Sequence, residues 1–284
     1  MHTHRVRKGE ELNLWDIIVA IILGLVEGLT EFAPVSSTGH MIIVDDLWLK
    51  SKEIFGHDVA VTFKVCIQLG SVLAVVVVMK DRFIDLLGLG KKKDGEGSRL
   101  KLTQVIVGLL PAGILGLLFE DKIEEFFTVN LVIYSLIGGA ILMIAADWFR
   151  PARPKVETVD QITYKHAIGI GLFQCIAVLW PGFSRSGSTI SGGVLMGLSH
   201  RAASDFTFIM AVPIMLGAST VSLLKNWEHF TMDALPFFIV GFASAFIFAL
   251  LSIRYFLKLI NKIKLVPFAI YRIVLALILF LVVS

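Results

Sequence analysis

Two short polar stretches decide the reading of this chain: Pro34-Val35-Ser36-Ser37-Thr38-Gly39-His40 and Pro181-Gly182-Phe183-Ser184-Arg185-Ser186-Gly187. Each interrupts an otherwise apolar region, 15–44 in the first case and 167–198 in the second. The flanking halves are too short to span a bilayer comfortably, which takes about 20 apolar residues. Irregular backbone at membrane depth is tolerated only where protein or a water-filled cavity satisfies its polar groups. Both regions are therefore predicted to be re-entrant helical hairpins.

The rest of the chain supplies the setting for them. Hydrophobic residues make up 56% of the 284 and charged ones 17%. Soluble domains carry about 45–50% and about 25%, so with a mean hydropathy of +0.81 a membrane class is indicated. Six runs are long enough to span: 61–79, 102–119, 131–148, 206–224, 235–253 and 265–283. The expected fold is all-α, a polytopic membrane protein of six transmembrane helices plus two re-entrant hairpins. Residues 1–13 read as a tag-like or disordered leader and 14–284 as one membrane domain. Cys66 and Cys175 sit in apolar runs without CxxC spacing, so neither a disulfide framework nor a zinc site is implied. The histidines at 57, 166, 200 and 229 lie in or near loops and take no assigned role, and Met196, Met210 and Met215 read as packing.

Loop charge gives the orientation. Basic residues gather in 80–101, in 150–165 and between Arg254 and Lys264, whereas 45–58, 120–125 and 225–233 are acidic. Cytoplasmic loops collect Lys and Arg, so the three basic connections face inward and both termini outward, provided each broken region returns to the side it entered from.

The chain also repeats itself. Ala20-Ile21-x-x-Gly24-Leu25-x-Glu27 precedes the first break, and Ala167-Ile168-x-x-Gly171-Leu172-x-Gln174 the second. The offset is 147 residues for the glycines, for Pro34 and Pro181, and for Leu69-Gly70 and Leu216-Gly217. Each half, about 14–150 and 160–284, then holds one hairpin and three spans, and an odd number of spans inverts the second half. Inverted repeats with broken helices meeting near the midplane are a transporter device for binding ions and substrates.

Glu27 and Glu31 share a helix face at a spacing of four. An acidic residue at the centre of a membrane helix costs about 2.5–3.5 kcal/mol, so two of them point to a polar cavity. They can bind a divalent metal, handle protons, or form a structural hydrogen-bonded pair. Ser36, Ser37, Thr38, Gly39 and His40 open a second half-helix, where backbone N–H groups favour anions. A serine hydroxyl beside an imidazole or carboxylate base is a candidate nucleophile; the competing role is a local hydrogen bond. The second break supplies Ser184, Arg185, Ser186, Ser188 and Thr189. A guanidinium matches phosphate oxygens bidentately, and its alternative is a structural pair with Glu27 or Glu31. Gln68 lies in a span and either touches the same cavity or, the favoured reading, packs in the core. Together these residues form a phosphoryl-transfer inventory. No GxxxxGK[ST] loop is present, which leaves nucleotide hydrolysis without support.

At these motifs the chain resembles the bacterial undecaprenyl-diphosphatase family, the bacitracin-resistance membrane proteins. Glu/Gln-x-x-x-Glu is matched by Glu27 and Glu31, Pro-x-Ser-Ser-Thr-Gly-His by Pro34 to His40, and Pro-Gly-x-Ser-Arg-Ser-x-x-Thr by Pro181 to Thr189. The resemblance runs from about Leu14 onward. It implies hydrolysis of undecaprenyl diphosphate to the monophosphate and phosphate, recycling the carrier lipid for cell-wall polymers. It also implies a bacterial cytoplasmic membrane location with the site open to the outer face. The catalytic group it implies is Glu27, Glu31, Ser37, His40 and Arg185. Within it Ser37 is the candidate nucleophile, Glu31 and His40 handle protons and Arg185 holds phosphate; attack by His40 or by water remains open. Substrate contacts are expected from Ser36, Thr38, Gly39, Ser184, Ser186 and Thr189. A divalent cation, magnesium or calcium, is expected on Glu27 and Glu31. The expected partners are a polyprenyl diphosphate lipid and the bilayer, with no nucleic acid; a homodimer is a possible assembly. The rival reading is a transporter or flippase of a phosphorylated polyprenyl lipid.

Overall fold

A computed structural model describes residues 13–90, 99–125, 128–225 and 234–283, the side chains of 120–125 excepted. The expected leader up to residue 12, the lysines at 91, 92 and 93, the acidic side chains of 120–125 and the loop 226–233 with His229 lie outside the described residues. All described elements are helical, apart from an isolated bridge between Val156 and Leu198.

Helix α1 (Leu14–Thr30) opens with a reciprocal cap. The Asn13 side chain accepts from the Asp16 N–H, and the Asp16 carboxylate accepts from the Asn13 N–H, both at 3.0 Å. Two otherwise unsatisfied donors are thereby met, and Asn13 belongs to the fold rather than to the leader. Seventeen residues make a helix of about 25 Å, short of a bilayer core of about 30 Å. After the first break come α2 (Ser37–Met41), a π-helical stretch (Ile42–Leu49) and α3 (Ser51–Phe55). Then follow α4 (His57–Val78), α5 (Lys80–Leu86), α6 (Leu102–Glu125), kinked at Phe119, and α7 (Val129–Phe149). The second half holds α8 (Tyr164–Leu179), α9 (Arg185–Leu195), α10 (His200–Lys225), α11 (Leu235–Ile263) and α12 (Val266–Val283).

Six of these helices are long and apolar enough to cross a membrane: α4, α6 as far as Phe119, α7, α10, α11 and α12. α10 begins six residues before the apolar run and α11 ends ten residues after it. The extra turns carry charge. Arg201 and Asp205 pair at 3.0 Å one turn apart, and Arg254, Lys258 and Lys262 extend α11. Hydropathy marks the length that meets lipid, whereas the hydrogen-bonded helix continues into the polar layer.

The two broken helices pack reciprocally. α1 lies along α11 and α8 along α6, so each rests on a helix of the other half. Small residues permit the approach: Gly24 and Gly28 press on the α11 backbone between Gly241 and Ala249, and Gly171 on the Gly108 carbonyl. Ser244 and Ser252 of α11 donate to the Ile21 and Leu29 carbonyls at 2.8 and 2.9 Å, so α1 and α11 run in the same direction. Phe55 and Phe63 stack on Phe237, with centroids 4.2 and 4.0 Å apart. The first hairpin thus comes back to the end at which α1 and α11 begin. The second comes back to its own starting end, where Lys155 N–H donates to the Gly197 carbonyl at 2.8 Å. This arrangement is compatible with re-entrant hairpins in an inverted repeat.

The basic connections meet at one end. Arg82 pairs with Asp160 at 2.7 Å, and Arg201 donates to the Leu257 carbonyl at 2.9 Å. Asp147 accepts from His200 Nε2 at 2.6 Å and from the Leu265 and Val266 N–H groups at 2.9 and 3.0 Å. His200, left without a role by the sequence, is buried in this clamp. A second correction concerns Asp45, placed by the sequence in an acidic loop. Its carboxylate is fully buried, meeting Lys64 Nζ at 2.7 Å and the Ser51 N–H at 3.0 Å. The π-helical stretch turns it inward.

Candidate active site

The site forms where the two breaks touch. Ser36 and Ser184 each precede a half-helix with left-handed backbone, φ 72° and 70°. Such a conformation costs a residue with a Cβ about 1–3 kcal/mol. Each serine recovers part of that by capping: Ser36 Oγ accepts from Gly39 N–H at 3.3 Å and Ser184 Oγ from Gly187 N–H at 3.2 Å. These serines are 148 residues apart, one more than the prolines. The second break is thus longer by one residue, which makes Ser37 and Arg185 structural counterparts as the first residues of α2 and α9.

Both counterparts reach the same carboxylate. Ser37 Oγ donates to Glu31 Oε2 at 2.6 Å, and Arg185 Nη2 donates to Glu31 Oε1 at 2.9 Å. The Glu31 side chain is only 10% exposed and that of Arg185 18%. The other terminal nitrogen of Arg185, Nη1, is buried and finds no hydrogen-bond partner among the described residues. Beside this junction is a cavity of about 380 Å³. Glu31, Ser36, Ser37 and Thr38 line it from the first hairpin, and Pro181, Gly182, Ser184 and Arg185 from the second. Gln68 of α4 and Gln174 of α8 add amides, while Ile214, Met215 and Ala218 of α10 close the wall. Gln68 and Met215, read from sequence as packing, therefore belong to the cavity; Ser219 Oγ donates to Gln68 Oε1 at 3.5 Å.

Other expected site residues stand behind the wall. His40 Nδ1 meets the Ser36 carbonyl and Nε2 the Tyr271 hydroxyl, both at 2.7 Å. A carbonyl only accepts, so Nδ1 carries the proton and, in the neutral ring, Nε2 accepts from Tyr271. His40 thus has both nitrogens engaged and holds the backbone of the first break. Gly39 packs towards Leu136 and Leu275. Ser186 Oγ donates to the Ala33 carbonyl at 3.2 Å, stapling one hairpin tip to the other. Thr189 Oγ1 donates to the Arg185 carbonyl and accepts from Thr207 Oγ1, both at 2.9 Å. Glu27 is buried one turn before Glu31, within electrostatic reach of Glu31, Arg185 and Lys64.

Arg272, a lone charge inside the last apolar run, escaped the sequence reading. It is fully buried and donates through Nη2 to the carbonyls of Ser135 and Gly182, at 3.2 and 3.1 Å, behind the second break. Lys64 was missed in the same way. Both are cations inside apolar runs, 61–79 and 265–283, and that position is the signal that could have found them.

The arrangement pairs a hydroxyl with a carboxylate base and sets a guanidinium beside them, the parts needed to attack and hold a phosphoryl group. The donors towards the carboxylate end are oxygens: Glu27, Glu31 and the break hydroxyls. Among the described residues no three His, Cys, Asp or Glu side chains form a metal cluster. Such a set fits a hard divalent cation that completes its shell with phosphate oxygens and water.

The family model of bacitracin resistance protein BacA matches residues 20–278. An undecaprenyl-diphosphatase of Geobacillus sp. (strain WCH70) is 71% identical over 273 residues, covering 95% of this chain and 99% of the relative. One from Geobacillus kaustophilus is 66% identical, covering 95% and 97%, respectively. One from Bacillus subtilis is 60% identical, covering 95% and 99%.

Proposed function

This chain belongs to the bacitracin resistance protein BacA family, and from that premise we propose that it is an integral membrane phosphatase. It hydrolyses undecaprenyl diphosphate to undecaprenyl phosphate and inorganic phosphate and so returns carrier lipid to cell-wall synthesis. The observation that carries this reading is the sharing of one carboxylate, Glu31, between the Ser37 hydroxyl and the Arg185 guanidinium.

Ser37 Oγ attacks the terminal phosphorus while its proton passes to Glu31. The bond from that phosphorus to the bridging oxygen breaks, and its electron pair stays with the lipid-linked phosphate. Glu31 hands that proton to the departing lipid monophosphate. A water molecule then attacks the phosphoserine, giving a proton to the freed Glu31 carboxylate, and that proton returns to Ser37 Oγ as the Ser37 O–P bond breaks and inorganic phosphate leaves. An incoming phosphoryl group competes with Glu31 for Arg185, so substrate binding frees the carboxylate for proton transfer. His40 is a positioning residue here, because both ring nitrogens are engaged. Ser36, Thr38 and Ser184 offer polar contacts on the cavity wall, whereas Gly39, Ser186 and Thr189 keep the two breaks in shape. Glu27 and Glu31 are the residues that would hold magnesium or calcium, which would neutralise phosphate charge.

The membrane is the bacterial cytoplasmic membrane and the cavity opens outward. In support, the basic connections gather at one end, while the cavity lies against the part of α10 near residues 214–218, away from that end. Phosphate release from a polyprenyl diphosphate by purified protein in detergent tests the reading. Wild type is expected to release phosphate, and Glu31→Gln and Arg185→Ala to release almost none while still folded. Release at the wild-type rate by both variants would leave lipid transport as the better reading.

A further inference from the structure

The two hairpins bring different chemistry to the cavity. The first hairpin contributes the carboxylate of Glu31, with Glu27 buried one turn behind it. At the repeat offset, the second hairpin carries Gln174 and Val178 instead. Gln174 and Val178 both line the cavity, so the second hairpin presents an amide and a methyl surface where the first presents an acid. A diphosphate brings two anionic groups, and only one of them can sit at the reacting centre beside Ser37. The other needs donors that Glu31 does not already engage.

Those donors are present and unused. Gln174 is 1% exposed, and its Nε2 has no hydrogen-bond partner among the described residues. Arg185 also lines the cavity, and its Nη1 is equally buried and, among the described residues, equally unpartnered. Leaving a buried donor unsatisfied costs about 1–3 kcal/mol, more for a charged group. Two such donors on residues that line one cavity are donors kept for a ligand. An anion accepts from both; an apolar or cationic ligand accepts from neither.

We propose that Gln174 and the free Nη1 of Arg185 form the subsite for the lipid-linked phosphate, the leaving group of the hydrolysis. This rests on the phosphatase reading above and adds a specificity residue to it. When the bond to the bridging oxygen breaks, the electron pair settles on an oxygen facing these donors. The same contacts hold the product lipid monophosphate until it departs. Inorganic phosphate is formed beside Ser37 and Glu31.

The test compares wild type with Gln174→Met, which keeps the volume and removes the amide. A hydrogen bond to a charged group is worth enough that KM for a polyprenyl diphosphate should rise roughly ten- to a hundredfold. Inhibition by a polyprenyl monophosphate should weaken by a similar factor, while inhibition by inorganic phosphate stays near wild type. Unchanged KM with unchanged monophosphate inhibition overturns the subsite, as does a selective loss of inorganic phosphate inhibition. If Gln174→Met does not fold, Gln174→Asn, with the amide drawn back by one methylene, takes its place under the same criteria. A wild-type protein without phosphate release would strike the phosphatase reading itself, a result distinct from either outcome for Gln174.

Discussion

In the proposed reaction Glu31 is the residue on which the chemistry turns, because its two oxygens are divided between a hydroxyl and a guanidinium. General base catalysis by a positioned side chain contributes about 10²–10⁴-fold, so Glu31→Gln is expected to lower kcat by at least that range in a phosphate-release assay. Arg185→Lys should not rescue Arg185→Ala to wild-type activity, since a lysine cannot engage Glu31 and an anion through separate planar nitrogens. His40 belongs to a different class. Its ring bridges the Ser36 carbonyl and the Tyr271 hydroxyl, so His40→Ala should reduce kcat far less than Glu31→Gln. Tyr271→Phe should reproduce part of the loss; a His40→Ala defect as deep as that of Glu31→Gln would return His40 to direct proton handling. For the divalent cation, activity is expected to vanish in excess chelator and to recover with magnesium or calcium. Full activity in chelator would remove the metal role from Glu27 and Glu31. Residue types were readable in advance here: acids, hydroxyls and a cation in an apolar chain can be recognised singly. Which of them meets the carboxylate was not readable, since Ser36 and Ser37 are neighbours of the same chemistry.

At the scale of elements, the hairpins stand because glycine lets them be gripped. Gly24 and Gly28 admit the α11 backbone so closely that a side chain at either position would collide with it. Overpacking of this kind costs typically about 1–3 kcal/mol. Gly24→Val is therefore expected to lower the thermal unfolding midpoint in detergent, and to lower activity by displacing Glu27 and Glu31, which ride on the same helix. A midpoint equal to wild type would show that α1 does not depend on this contact. The membrane helices themselves were legible from hydropathy, to within the polar turns at their ends. The π-helical turn that buries Asp45 against Lys64 was not, because a π-turn arises from local backbone fit rather than from any apolar period.

For the whole molecule, the hydrogen bonds at Asp147 and Asp160 draw the basic connections together at one end. Cysteines placed at Arg153 and Lys262 should therefore react with a membrane-impermeant reagent only from the cytoplasmic side, and one at Glu53 only from outside. Labelling of Glu53→Cys and Arg153→Cys from the same side would undo the proposed orientation and the outward opening of the cavity. Sequence by itself determined the membrane class, the six spans, the two breaks, the 147-residue repeat and the set of polar residues the breaks carry. All of these are local properties, set by composition and by the inability of a short apolar segment to cross a bilayer. Only the tertiary structure decided which residues meet. The break that is longer by one residue shifts the start of its helix by one position relative to the repeat. That shift sets Arg185, rather than Ser184, opposite Ser37 on Glu31. No local pattern encodes it, because it depends on how two distant segments pack against each other.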